Sequence, residues 1–258
     1  MIDTTTHPNL HSMQRIAALC NTSLRLRFYA ILRQSTTLPN FHVIRLQLNS
    51  SVARCLHAGL ASRSWGHGPE FLYKPLLHYV MPESVRRLII LDCDTVPLRD
   101  LRGLFEHFRH FAGSVLGVVN EQSMLYQRSI GVVGKNGGVQ LLDLQAMRAS
   151  ALYRTALDRA ATDRTWRPQG WLKGGWLGDQ TLYSLLAADY PSLIYTLPCE
   201  FNRQLGSDFL QMNRHADGYV PGDPSVPADH HRFGFTNATV HTCPRRCAIL
   251  HANYYPLK

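Results

Sequence analysis

The stretch at residues 87–99, RLIILDCDTVPLR, decides how the rest of the chain is read. Its apolar run, Leu88–Leu91, stops at two carboxylates, Asp92 and Asp94, with Cys93 between them. A short apolar run closed by acidic residues predicts a buried strand that ends at a polar site. Residues two apart on an extended chain share a side, so both carboxylates can face one ligand. Paired hard oxygens suit a divalent cation carried with phosphate. Taken alone, an ordinary acidic turn after a strand is the simpler account, because D-x-D is common by chance. The neighbouring segments change that balance.

Upstream, Ser12–Gln34 has apolar residues at helical spacing, Phe41–Leu48 alternates like a strand, and Val52–Ala61 predicts a short helix. Gly66–Pro69 is a loop, and Phe71–Val80 predicts a helix with Pro75 in its first turns, where proline is tolerated. Downstream, Leu98, Leu101, Leu104, Phe105 and Phe108 mark one helical face, and Ser114–Val119 is a strand. Gly134–Gly138 predicts a glycine-dense turn before an apolar strand, Val139–Leu142. Leu144–Ala160 predicts a helix, Arg164–Gly178 irregular chain, and Asp179–Ala188 a helix capped by Asp179. Leu193–Leu197 and Ala248–His251 are the last strands, with little periodicity between Gly206 and Arg246. Strands alternating with helices predict an α/β fold with a mostly parallel central sheet flanked by helices. Ligands in such sheets sit beyond the carboxyl ends of the strands. The chain shows no repeat and no domain boundary, so a single domain over 1–258 is expected.

The 258 residues are 45% hydrophobic and 17% charged, which are globular values. The formal net charge of +9 favours anionic partners. The arginines are scattered, as at Arg25, Arg27, Arg33, Arg45 and Arg54, with no dense block and no nucleic-acid-binding motif. A nucleic-acid partner is therefore not expected. No run is long enough to span a membrane, and MIDTTTHPNLHS lacks the pattern of a signal peptide. Either the protein is cytosolic or the sequence lacks its natural start. Six cysteines stand at 20, 55, 93, 199, 243 and 247. Cys243 and Cys247 lie near His241 and His251, but a zinc site needs a second ligand pair, and none stands at matched spacing. A disulfide from Cys199 to Cys243 or to Cys247 is the better account, and it points to an oxidising compartment. Sequons at Asn21, Asn49 and Asn237 lean the same way.

Four ordered stretches carry a resemblance: LIILDCDTVPLRDLRGLF, KNGGVQLLDLQAMR, LGDQTLYSLL and AILHAN. Together they resemble the D-x-D strand, the asparagine–glycine block, the D-Q helix and the terminal H-G-N motif of glycosyltransferase family 8. These are retaining enzymes of the GT-A fold, and the similarity is greatest to the xylosyltransferase branch. It runs from about Phe71 to Asn253, with residues 1–67 weakly matched. The resemblance implies transfer of a sugar, xylose first, from a UDP-sugar to a glycan or glycoprotein acceptor. It implies manganese or another divalent cation on Asp92, Asp94 and His251. It puts Lys74, Cys93, Asn136, Gly138, Asn253 and Lys258 against the nucleotide-sugar. Asp179 and Gln180 fall near the anomeric carbon, Gln180 in an electrostatic rather than covalent role. Asn202, Arg203 and Gln204 are candidates for the acceptor or donor-sugar pocket. A lumenal Golgi or endoplasmic reticulum location follows from the same likeness.

The chain also departs from the family pattern. The first family strand, whose end holds the uridine, is not visible, and the N-terminus is expected to be incomplete. The segment from Val119 to Asn136 is short, Thr181 replaces an acidic residue after D-Q, and Ala252 replaces the glycine of H-G-N. The alternative is a degenerate or truncated GT-A domain that binds without turnover.

Overall fold

The computed structural model describes residues 29–30, 42–43, 48, 50–63, 69–122, 131–167, 176–204, 243 and 245–252. In chain order it carries β1 (Tyr29–Ala30), β2 (His42–Val43), α1 (Ser51–Ala61), α2 (Leu77–Val80), β3 (Arg87–Leu91) and β4 (Thr95–Pro97). Then come α3 (Arg102–Phe105), β5 (Leu116–Asn120), β6 (Lys135–Asp143), α4 (Leu144–Ala149), α5 (Ala151–Thr162) and α6 (Gly178–Asp189). Strands β7 (Ile194–Leu197), β8 (Arg203–Gln204) and β9 (Ile249–His251) follow. Tight 3-10 turns at Pro69–Leu76, Glu106–His110 and Cys199–Phe201 lead into or out of these elements.

The α/β architecture is the expected one. Among the described residues the central sheet has the order β3-β6-β5-β7. Its directions correct the expectation of a mostly parallel sheet: β6 runs antiparallel to both β3 and β5, and only β5 and β7 pair in parallel. The physical reason is burial. All of β6 except its last residue is buried, so its side chains are apolar or internally bonded on both faces. A strand covered on both sides reads alike in either direction. One face of the sheet sends Leu88, Ile90, Leu116, Val118 and Leu142 into a core with Leu56, Leu60, Tyr153, Leu157, Leu182 and Leu186 of the helices. The other sends Ile89, Leu91, Val119, Val139 and Leu141 towards Leu104, Phe108, Phe111 and Phe201. Successive strand residues pointing to opposite sides produce this two-sided core.

Three local differences from expectation have clear causes. Tyr29–Ala30 is a strand paired in parallel with β2, where a helix over Ser12–Gln34 was expected. In LRLRFYA an alternation of apolar and basic residues, Leu24, Leu26, Phe28 against Arg25 and Arg27, competes with the helical spacing. The helix expected over Leu144–Ala160 breaks at Ser150, which ends α4 and caps α5 by accepting the Tyr153 N–H at 3.0 Å. The glycine-dense segment is not a turn, since Lys135–Gly138 opens the long strand β6.

A second sheet, β4-β9-β8, brings the end of the chain back onto the first. β9 pairs antiparallel with β4, opposing His251 to Thr95, and parallel with β8, opposing His251 to Gln204. Cys199 and Cys243 form a disulfide that pins the 3-10 turn before β8, while Cys247 keeps a free thiol. The disulfide removes Cys243 from any zinc site. Among the described residues no helix is long and apolar enough to cross a membrane. The sequon asparagines, Asn21, Asn49 and Asn237, and most of the Gly206–Arg246 segment lie outside the described residues.

Candidate active site

The site forms where the two sheets meet. The β3–β6 ladder continues one step past Leu91, with the Asp92 N–H donating to the Gly138 carbonyl at 2.8 Å. The chain then turns. Thr95 donates both its N–H (3.0 Å) and its hydroxyl (2.7 Å) to the Asp92 carbonyl. β4 begins there, and its pairing with β9 carries His251 to Asp94, with Nε2 3.3 Å from Oδ1. One ligand atom from each of Asp92, Asp94 and His251 falls within 4.8 Å of the others. His251 is buried, while the Asp94 side chain is 37% exposed, so the cluster opens to solvent on one side. Gly138 makes the approach possible: a Cβ there would lie 2.2–2.8 Å from the imidazole ring. Its need for glycine comes from this contact rather than from a turn.

Lys74 underlies the cluster. Its ammonium is buried and has three acceptors, Asp92 Oδ1 at 2.7 Å, the Gly137 carbonyl at 3.2 Å and Asp179 Oδ2 at 3.3 Å. An ammonium has three donors, so all of them are used within the protein. Burial works to lower the Lys74 pKa, but the attraction of Asp179 and then Asp92 outweighs it, and the lysine is held firmly as the cation.

Asp179 was expected as a helix cap, but Leu177 is the N-cap of α6, and its N–H is taken by the Thr181 hydroxyl at 2.8 Å. Asp179 instead turns inward. Its Oδ2 also accepts from Gln140 Nε2 at 2.7 Å, and Gln140 in turn accepts from the Tyr183 hydroxyl at 2.9 Å. Burial pushes the Asp179 carboxyl up, and Lys74 opposes that shift. Gly137 is needed here for the same kind of reason, since a Cβ would come within 2.7 Å of Asp179 Oδ2.

The residue that sequence reasoning missed is Glu121. It is 2% exposed, directly after β5. Its Oε2 accepts from Asn136 Nδ2 at 2.9 Å and from Gln180 Nε2 in a short bond. Asn136 Oδ1 accepts from the Gly138 N–H at 2.9 Å and from Asn202 Nδ2 at 2.8 Å. Asn202 Oδ1 lies 3.0 Å from His251 Nδ1. A continuous hydrogen-bonded path therefore links Gln180 to His251. The signal that flagged Asp92, an apolar strand closed by a carboxylate, also stands at Glu121 and could have found it.

Among the expected residues, Asp92, Asp94, His251, Lys74, Asn136, Gly138, Asp179, Gln180 and Asn202 come together here. Cys93 sits half-buried between the aspartates, its thiol pushed up by burial and then by Asp94 and Asp92. Gln204 is buried but occupied, bridging Gln122 and the Asn120 carbonyl. Arg203 turns its guanidinium to the Cys243 carbonyl at 2.6 Å, away from the cluster. Asn253 and Lys258 lie outside the described residues. Two carboxylates and one imidazole, grouped this closely and partly open, fit a hard divalent cation of the manganese class.

No family model matches the chain. Mouse xyloside xylosyltransferase 1 is 31% identical over 177 residues, covering 58% of this chain and 45% of the relative. Mouse xylosyl- and glucuronyltransferase LARGE2 is 30% identical over 153 residues, covering 55% of this chain and 21% of the relative. The chain thus spans less than half the length of these curated relatives. The apo crystal structure of mouse xyloside xylosyltransferase 1 superposes with a TM-score of 0.60 at 23% identity, over 81% of this chain and 75% of that one. The galactosyltransferase LgtC, in complex with donor and acceptor sugar analogs, gives 0.56 at 13% identity over 94% and 81%.

Proposed function

We propose that this chain, a homologue of xyloside xylosyltransferase 1 and the LARGE enzymes with the GT-A fold, is a retaining glycosyltransferase of family 8. Its donor is a UDP-sugar, UDP-xylose first, and its acceptor a glycan or glycoprotein. The observation that carries this reading is the Asp92–Asp94–His251 cluster, linked by hydrogen bonds to Asn136 and Gln180 at the same strand ends. A divalent cation, manganese by preference, supplies Lewis-acid neutralisation of the departing diphosphate when bound to this cluster.

The protein's own groups do the rest. Lys74 holds Asp92 in place rather than reaching out to phosphate. Asp179 is a positioning residue, anchoring Lys74 and Gln140. Gln180 has its amide nitrogen committed to Glu121, so it presents its carbonyl oxygen to a ligand. An oriented carbonyl dipole stabilises the positive charge of an oxocarbenium-like state, which suits front-face transfer with retention. Asn136 lies alongside, and Asn253, Lys258 and Cys93 are assigned to the nucleotide side by the family resemblance. The Cys199–Cys243 disulfide suits an oxidising Golgi or endoplasmic reticulum lumen.

Incubating the purified chain with UDP-xylose and other UDP-sugars, with manganese or with chelator, and measuring UDP release and transfer to a xyloside tests this. Manganese-dependent turnover is expected. Metal-dependent binding without turnover on any donor or acceptor supports the degenerate, binding-only alternative, and no metal-dependent binding at all contradicts both.

A further inference from the structure

We infer that Asn202 is a positioning residue that fixes a hydrogen on His251 Nδ1, so that Nε2 is the nitrogen turned to ligate a cation in the Asp92–Asp94 cluster. The inference rests on reading that cluster as a cation site, and it follows from the polarity of the path that ends at His251. Two groups on this path have no freedom. The Glu121 carboxylate only accepts, and the Gly138 backbone N–H only donates. Asn136 touches both, so its amide nitrogen must face Glu121 (2.9 Å) and its oxygen must face Gly138 (2.9 Å). Asn202 then has to turn its nitrogen to that oxygen, at 2.8 Å, which leaves its own oxygen towards His251. At 3.0 Å an oxygen and Nδ1 are in contact only if the ring donates. With its hydrogen on Nδ1 held by Asn202, the ring turns Nε2 to Asp94 at 3.3 Å, where it either shares a proton with that carboxylate or gives its lone pair to a cation that takes the proton's place.

Burial makes the arrangement hold. Glu121, Asn136, Asn202 and His251 are at most 3% exposed, so bulk water is not on hand to reverse an amide or supply an alternative acceptor. Gln180 branches from the same Glu121 oxygen, so the group nearest the sugar and the imidazole on the cation side take their orientation from one carboxylate.

The test replaces Asn202 in two ways. Asn202→Leu keeps the volume and removes the acceptor, while Asn202→Asp keeps an acceptor for Nδ1–H. Long-range 1H–15N correlation spectra of the metal-free chain report the tautomer, the His251 signal being identified by its loss in His251→Gln. Manganese affinity is measured by calorimetry, and thermal melts check that each variant folds. The wild type is expected to show a protonated Nδ1, retained in Asn202→Asp and lost in Asn202→Leu, which should also bind manganese roughly 10–100-fold more weakly. A wild-type His251 without hydrogen on Nδ1 overturns the inference. So does an Asn202→Leu variant that keeps the Nδ1–H tautomer. If the wild type binds no manganese, the cation reading fails, and the tautomer spectra still decide the role of Asn202.

Discussion

A methyl group on Gly138 would meet His251 Cε1 at 2.2 Å, and the ring has no room to retreat without leaving Asp94. Gly138→Ala is therefore expected to weaken manganese binding at least ~10-fold, the scale of losing a ligand's alignment, with little change in overall secondary structure; calorimetry and circular dichroism check both halves. Lys74→Met removes the cation shared by Asp92 and Asp179. Breaking a buried pair leaves uncompensated charge, so urea denaturation should show a loss of about 3–5 kcal/mol. At this scale much of the site was legible beforehand. Asp92, Asp94 and His251 belong to ordered motifs whose chemistry needs those atoms. What could not be read was inward orientation. Asp179 looks like an ordinary helix cap until burial turns it towards the Gln140 amide and Lys74; Glu121 closes an apolar strand as Asp92 does, but the sequence does not tell which amides it meets inside.

The elements were legible as far as periodicity reports burial. β3, β5, β7 and β9 and the helices α1 and α6 stand within a few residues of where apolar spacing put them. Strand direction was not, because β6 is covered on both faces and its pattern has no polarity. Nor was the opening of β6: three residues of KNGG look like turn chemistry, whereas the two glycines clear space for Asp179 and His251. β4 is three residues long, too short for alternation to register, yet its pairing with β9 delivers His251. The turn Cys199–Phe201, which precedes Asn202, is tied to Cys243 across a separation of 44 residues. Cys243→Ser should lower stability by roughly 2–4 kcal/mol, the usual worth of a loop-closing disulfide. Urea unfolding with and without reductant measures it, and reductant should affect the wild type far more than the variant.

Across the whole molecule, one buried charge makes stability depend on pH in an unusual direction. Lys135 opens β6 with its ammonium buried, and among the described residues its partners are the neutral oxygens of Asn120 (2.6 Å) and Thr196 (2.7 Å). Burial lowers its pKa from 10.5 to about 8. Below the folded value both folded and unfolded chains carry the proton, and the folded state bears the cost of burying it. Between the folded and unfolded values the unfolded chain binds more protons, so stability rises with pH. Relative to Lys135→Met, the wild type should gain on the order of 3 kcal/mol on going from about pH 7 to about pH 10, measured by urea unfolding at each pH. At the same scale the proposed function requires a nucleotide-sugar site whose binding depends on a cation held by Asp92, Asp94 and His251. Calorimetric titration of the purified chain with UDP, in manganese and then in chelator, tests this most directly. UDP is expected to bind in manganese, to lose that binding in chelator and to bind at least ~10-fold more weakly to Asp94→Asn. UDP binding of equal strength in manganese and in chelator, or untouched by Asp94→Asn, would contradict it.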